Sequence, residues 1–302
     1  MEQRKRVLMI STHGYVAAEP ELGLPDTGGQ VVFVLEMSKC LARLGFEVDI
    51  FTRRFEDQPP EEQVAEDVTI RRFPCGGREF IPKEYMCDHI HEWVEHASAY
   101  IRAEERGYVF VNSHYWDAGL AGQALCSRFD FPHLHTPHSL GAWKRENMDP
   151  DVDEETMEEK YNISRRIREE RVIYQECDAV IATTPMQRDF LQKHDYDVDP
   201  DKIYVVPPGY DEAQFFPLSE ARHRTMKEEY GYDGPLILSL GRMAHNKGYD
   251  LLLRAMPTVL DRVEDAQLLL SAGSAHPDEE EKEQLGDLKD KAEELGIADH
   301  VE

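Results

Sequence analysis

Apolar residues along this chain alternate between short unbroken runs and longer stretches with helical spacing. Val7-Leu8-Met9-Ile10 is an unbroken run, the pattern of a strand buried on both faces of a parallel sheet. Val31, Val34, Leu35, Ser38, Leu41 and Ala42 then recur at helical intervals up to Gly45, which predicts a helix closed by a glycine. The same rhythm predicts further strands at 48–51, 68–73, 108–111, 133–135, 179–182 and 203–206, and helices at 86–105, 118–127, 154–177 and 186–193. Cys75-Gly76-Gly77-Arg78 reads as a turn. Strand and helix in alternation predict a doubly wound parallel sheet with helices on both faces.

Pro207-Pro208-Gly209 halts this pattern, and the stretch through Pro217 has linker composition. Beyond it the spacing predicts a helix at 220–230, a strand at 236–240, a helix at 248–260, a strand at 267–271 and a helix at 278–295, with His300-Val301-Glu302 opening another strand. The expectation is an α/β chain of two Rossmann-like doubly wound domains. Residues 1–206 form the first, 207–217 the linker and 218–302 the first half of the second, which is expected to be truncated.

Composition narrows the function classes. The 302 residues are 41% apolar and 9% aromatic, a globular balance with room for two domains. The first apolar run is far too short for a signal peptide or a membrane span, so no membrane association is expected. Five scattered cysteines without a Cys-x-x-Cys pair predict reduced thiols and a cytoplasmic location. Acidic residues outnumber basic ones 60 to 34, for a net charge of -26, which argues against a nucleic-acid partner. The basic set is rich in arginine, and the surface fits either a salt-tolerant, halophile-like protein or an ordinary acidic cytosolic one.

Against that acidic background, cations and glycines at strand ends carry the candidate chemistry. Asp26-Thr27-Gly28-Gly29-Gln30 lies between the first strand and the first helix, where bare peptide N–H groups can approach a phosphate or a sugar. A tight turn with no ligand has the same signature. Gly241, Arg242 and Lys247 occupy the matching place in the second unit, as a diphosphate clamp or as a solubilising loop. His133, His135 and His138, with His114, raise the question of a metal. Pro137 turns the chain before His138 and no carboxylate or thiolate sits beside them, so no metal site is expected. His133 reads as a core residue, and His138 is placed to bond a sugar hydroxyl or steady developing charge. Lys83, Lys144, Arg165, Arg166, Arg168 and Arg171 fit a phosphate-bearing acceptor; i,i+4 pairing of the helical arginines with Glu169, Glu170 and their neighbours fits as well.

Taken together, Gly28-Gly29-Gln30, Ile81-Pro82-Lys83-Glu84, Ser113-His114-Tyr115, His138-Ser139-Leu140-Gly141 with Lys144, Pro207-Pro208-Gly209, and Gly241-Arg242 with Lys247 resemble the sucrose-phosphate synthase group of retaining family 4 glycosyltransferases. The resemblance spans nearly the whole chain. It implies a GT-B fold and transfer of a hexosyl group from a nucleotide sugar to the anomeric hydroxyl of fructose 6-phosphate, with retention at the donor carbon. The segments 10–18, 53–58, 112–119 and 133–138 look like a branch of that group with GDP-mannose as donor and mannosylfructose phosphate as product; its sister enzymes use UDP-glucose.

On this resemblance Gly29, Arg242 and Lys247 hold the donor, and those two cations do work often given to a metal, so no metal or cofactor is expected. Gly28, Gln30, Lys83 and Tyr115 face the acceptor fructose, while Lys144 with Arg165 or Arg168 takes its phosphate, and His138 is the catalytic residue beside the transferred sugar. A phosphatase acting on the product is a natural partner. One departure stands out: the family's Glu-x7-Glu motif has no counterpart here, so this chain alone is expected to turn over weakly or not at all. A truncated sugar-phosphate-binding module without catalysis, or another GT-B enzyme such as an epimerase, is the competing expectation.

Overall fold

The structure, a computed structural model, describes residues 4–21, 24–148, 152–193, 195–232, 234–243, 247–273, 277 and 279–302. The chain divides into two compact units, Met1–Gly209 and Tyr210–Glu302.

In the first unit the elements run β1 (Arg6–Ile10), α1 (Gly29–Arg43), β2 (Glu47–Arg54), β3 (Glu61–Ala65), β4 (Val68–Pro74), α2 (Ile90–Ala103), β5 (Phe110–His114), α3 (Trp116–Phe129) and β6 (His133–Thr136). Then follow α4 (Gly141–Glu146), α5 (Glu154–Tyr161), α6 (Ile163–Glu176), β7 (Ala179–Ala182), α7 (Pro185–Leu191) and β8 (Ile203–Val205). The strands form one sheet in the order β3-β4-β2-β1-β5-β6-β7-β8, parallel except for the edge strand β3. Strand order reverses beside β1, which opens a crevice at the carboxyl ends of β1 and β5.

Strand β1 shows why its run is unbroken. Val7 and Met9 pack with Val31, Val34 and Leu35 of α1, whereas Leu8 and Ile10 pack with Trp93, Val94 and Ala97 of α2 on the other face. Each such side chain removes apolar area worth about 2 kcal/mol, so neither face tolerates a polar residue. At the opposite end of the sheet Arg6 and Asp49, both buried, form an ion pair that Tyr108 extends with its hydroxyl 2.7 Å from Asp49.

Four departures from the sequence reading have local causes. Strand β3 has the polar sequence Glu-Glu-Gln-Val-Ala and is held by ion pairs from Arg71 to Glu61 and Arg72 to Glu62. The helix expected over 154–177 is two, because Asn162 adopts a left-handed backbone (φ 49°) between α5 and α6. The helix expected from 86 begins with a single 3-10 turn, Met86–Asp88, before α2. Helix α4 follows the turn after His138 and was not expected.

The second unit contains α8 (Glu220–Glu229), β9 (Leu236–Gly241), α9 (Tyr249–Leu260), β10 (Gln267–Ala272) and α10 (Glu279–Glu294). Strands β9 and β10 pair in parallel, and Val301 bridges to Leu268 where a further strand was expected to open. Leu253, Met256, Leu268, Ala292 and Ile297 make its core. Among the described residues no helix is long and apolar enough to cross a membrane. All five cysteines are free, and Cys40 alone of them is exposed.

Candidate functional site

Three glycines between the end of β1 and the first residue of α1 differ in what they do. Gly14 has φ +78°, and a Cβ there would lie 2.3 Å from the carbonyl oxygen of Asp26, so the loop closes on itself only with glycine. Gly28 and Gly29 differ: a Cβ on either would meet nothing within 4 Å. Gly28 is the extended N-cap of α1 (φ -161°), and no side chain caps that helix. Neither packing nor backbone conformation demands glycine at these two positions, and the amides above α1 are left open to a ligand. Gln30, in the first turn, donates to Ser11 Oγ (3.2 Å) and to the carbonyl of His114 (3.4 Å), joining the carboxyl ends of β1 and β5.

The turn after β6 carries His138 with φ 60°, a left-handed backbone in a non-glycine residue. Its Nε2 lies 2.9 Å from Nδ1 of His114, and Phe33 packs edge-on against its ring. Burial and, secondarily, His13 push the His138 imidazole down to about 4, so it is neutral at physiological pH. Nearby, His13 Nδ1 meets both carboxylate oxygens of the buried Asp117 at 2.9 and 3.0 Å, and Thr12 donates to the same carboxylate at 2.6 Å. The ring of His13 rests edge-on against Tyr115 with centroids 4.9 Å apart. The sequence reading did not single out His13 or Asp117. The available signal was Ser-Thr-His following directly on a fully apolar strand.

Tyr115, expected on the acceptor side, is buried with φ 73° at the start of α3. Its hydroxyl accepts from Nη1 of Arg166 at 2.8 Å. Arg166 is 3% exposed and donates further to Glu170 Oε1 (2.7 Å) and to the carbonyl and Oγ of Ser139 (both 2.9 Å). Glu170 in turn accepts from the Gly141 amide (2.8 Å) and from Tyr196 (2.5 Å), whose hydroxyl accepts from the Ala142 amide (2.9 Å). This buried chain of bonds locks the turn that presents His138 to helix α6. Arg165 and Arg168, singled out from the sequence, lie outside it: Arg165 pairs with Asp88 at 2.6 Å, and Arg168, 65% exposed, approaches Glu169 at 3.7 Å. The inward-facing arginine of that turn is Arg166.

The two lysines differ in their partners. Lys83 is ion-paired with Asp26 and Glu84, and its amide also donates to Asp26 at 3.1 Å. Burial would lower its pKa, but the Asp26 carboxylate outweighs burial and raises it. Lys144 sits 3.4 Å over the ring of Tyr161, and no carboxylate among the described residues pairs with it. Burial, then the charge of Arg166, push Lys144 down to about 8, with smaller contributions from Lys83 and Lys160, and Glu84 opposing. Arg166, Lys83 and Lys160 thus each act electrostatically on Lys144, although Arg166 is paired with Glu170 and Lys83 with Asp26 and Glu84.

His133 and His135 are buried and share Ser113, whose Oγ lies 2.8 Å from Nε2 of the first and Nδ1 of the second. Among the described residues no group of three or more His, Cys, Asp or Glu side chains could hold a metal ion. In the second unit Arg242 and Lys247 are both exposed after β9, and Tyr249 lies 3.4 Å from the Arg242 carbonyl. Residues 244–246 of that loop lie outside the described residues.

Comparison with known proteins adds the following. The family described as Glycosyltransferase Family 4 matches residues 27–214, and Glycosyl transferases group 1 matches 224–302. Mannosylfructose-phosphate synthase of Agrobacterium fabrum is 49% identical over 99% of this chain, and the chain spans 66% of that protein's length. D-inositol 3-phosphate glycosyltransferase of Xylanimonas cellulosilytica is 34% identical over 98% of the chain and 69% of its own length. Among solved structures, sucrose-phosphate synthase from Thermosynechococcus elongatus superimposes with a TM-score of 0.80 at 26% identity, covering 99% of this chain and 70% of that one.

Proposed function

This chain belongs to glycosyltransferase family 4 and carries the GT-B fold, and from that premise we propose that it belongs to a retaining hexosyltransferase that moves a mannosyl group from GDP-mannose to fructose 6-phosphate, giving mannosylfructose phosphate. The observation that carries the acceptor reading is Lys144, a partly buried ammonium without a carboxylate partner, among other cations in a chain of net charge -26. The names of the three relatives above all contain a phosphorylated sugar or polyol, which supports an acceptor of that class.

In this reading Gln30, Tyr115 and Lys83 face the acceptor sugar, and Lys144 takes its phosphate. His138 lies against the transferred sugar, Gly29 leaves the first amides of α1 open to an anion in the first unit, and Arg242 with Lys247 receive the donor diphosphate in the second. The two exposed cations supply the positive charge for the leaving nucleotide, so transfer is expected to survive EDTA. Unpaired, scattered cysteines support a reducing, cytoplasmic setting, and a phosphatase that removes the product's phosphate is the expected partner. The likeness to sucrose-phosphate synthase supports UDP-glucose as the alternative donor.

The test is fructose 6-phosphate-dependent nucleotide release by the full-length protein, with GDP-mannose and UDP-glucose compared side by side. Release that ignores fructose 6-phosphate, or acceptor binding with no release from either donor, overturns the transferase reading. Lys144→Ala should weaken fructose 6-phosphate by about 1.5 to 3 kcal/mol, the worth of a charge-assisted bond, and leave free fructose nearly unaffected. Because the Lys144 pKa lies near 8 in the free protein, wild-type affinity should also fall as pH rises through that value, when the ammonium that a phosphate prefers is lost. Calorimetric titration with both sugars checks the two points, and equal losses for the two sugars would remove Lys144 from the phosphate site.

A further inference from the structure

His114 and His138 share one short contact, and the surroundings of the two rings decide which proton fills it. Nδ1 of His114 is 2.9 Å from Nε2 of His138, so one nitrogen donates and the other accepts. Nε2 of His114 is buried and has no hydrogen-bond partner. Were the His114 proton on Nε2, it would be an orphaned donor sealed from water, a rarer defect in proteins than an unfilled acceptor. Placing that proton on Nδ1 puts it into the contact. His138 must then accept at Nε2, and its own proton goes to Nδ1, which meets no other described residue and belongs to a partly exposed side chain.

Three further features hold the arrangement. The His114 carbonyl accepts from Gln30 at 3.4 Å, the ring of Phe33 packs against both imidazoles, and His138 occupies a left-handed backbone that aims its ring back at β5. Burial keeps both rings neutral, reinforced at His114 by the neighbouring histidines and at His138 by His13.

We infer that His114 is a positioning residue that fixes the tautomer of His138, so that His138 presents a neutral Nδ1–H donor to the site rather than a base. For its catalytic consequence alone, this rests on the placement of His138 beside the transferred sugar. A neutral donor selects an oxygen lone pair on that sugar and takes no proton from it. The proton released by the acceptor hydroxyl must therefore go elsewhere, and His138 helps only by bonding an oxygen whose electron density changes as the donor bond breaks.

The test is long-range proton–nitrogen correlation NMR on the chain labelled with nitrogen-15 at histidine, with His114→Asn and His138→Asn used for assignment. The expected spectrum shows Nδ1 protonated and Nε2 unprotonated on both rings at neutral pH. A proton on Nε2 of His138, or an imidazolium at either ring, overturns the inference. His114→Leu removes the donor and should release His138 into a mixture of tautomers. His114→Asn, whose side-chain amide stands near the position of Nδ1, should restore a single form. In the full-length enzyme His114→Leu is expected to lower kcat by about tenfold to a hundredfold with KM for fructose 6-phosphate little changed, and His114→Asn to recover most of it. The NMR result stands whether or not any donor is turned over, so a failed transferase assay and a failed tautomer assignment are separable.

Discussion

Replacing Glu170 with alanine should lower the stability of the first unit by about 3 to 5 kcal/mol, because it strands the Arg166 guanidinium without its carboxylate inside the fold. Glu170 and Arg166 are both almost fully buried, and the carboxylate also accepts from the Gly141 amide and the Tyr196 hydroxyl. All three tryptophans, Trp93, Trp116 and Trp143, lie in the first unit, so urea unfolding followed by tryptophan fluorescence reports on that unit alone. Replacing both members, Arg166→Met with Glu170→Leu, should recover much of the loss, since two apolar side chains leave no charge unpaired. On the acceptor proposed above, that double variant should nevertheless bind fructose 6-phosphate poorly, because Tyr115 and Ser139 lose the guanidinium that holds them. A single variant as stable as wild type would show that water reaches Arg166 and that the pair is not sealed.

This network also marks where sequence legibility ends. The central strands could be read because a parallel strand covered on both faces is apolar at nearly every position, as Val7 to Ile10 are. Edge strand β3 has no such face to bury, and its Glu-Glu-Gln start carries no strand signal; its place comes from Arg71 and Arg72 on the neighbouring strand β4. The break at Asn162 was invisible for another reason. Neither glycine nor proline stands there, and a single asparagine, though it tolerates the left-handed region, does not by itself mark a break in a charged helical stretch.

The candidate site shows the same division. Gln30 in the first turn of α1, Tyr115 after β5 and His138 after β6 could be proposed because each stands beside an element that its own neighbours in sequence predict. Which arginine of α6 turns inward follows from the spacing of its apolar residues: Arg166 shares the face of Ile163, Ile167, Ile173 and Tyr174. With the helix beginning at Ile163, Arg166 and Glu170 share the inner face one turn apart, while Arg165 and Arg168 point away. The pairing of His13 with Asp117 joins positions 104 apart, which no periodicity can disclose. Polar residues at the end of an all-apolar strand are the one local clue to it. Such residues stay buried only if something satisfies them.

Four histidines in this region should make the first unit sensitive to mild acid. Burial holds His133 and His138 down to about 4 and His114 and His135 well below their ordinary value, with Asp178 partly opposing the effect at His133. In the unfolded chain each would titrate near 6.5, so below that pH the unfolded state binds protons that the folded state refuses. The stabilisation is thus complete above the unfolded pKa and drains away as pH falls toward the folded one. Each group draws stability away over that range, and together the four cost on the order of a few kcal/mol between pH 7.5 and 5.5. Protonation of ordinary carboxylates, which would relieve the net charge of -26, becomes important only nearer pH 4. The histidines therefore set the slope between pH 7 and 5.5. Urea midpoints measured by tryptophan fluorescence across that range should fall steeply. His133→Gln, whose amide can replace Nε2 at Ser113, should reduce the slope by one proton. An unchanged slope in that variant would mean that His133 already titrates normally in the folded unit, and a midpoint flat with pH would say the same of all four.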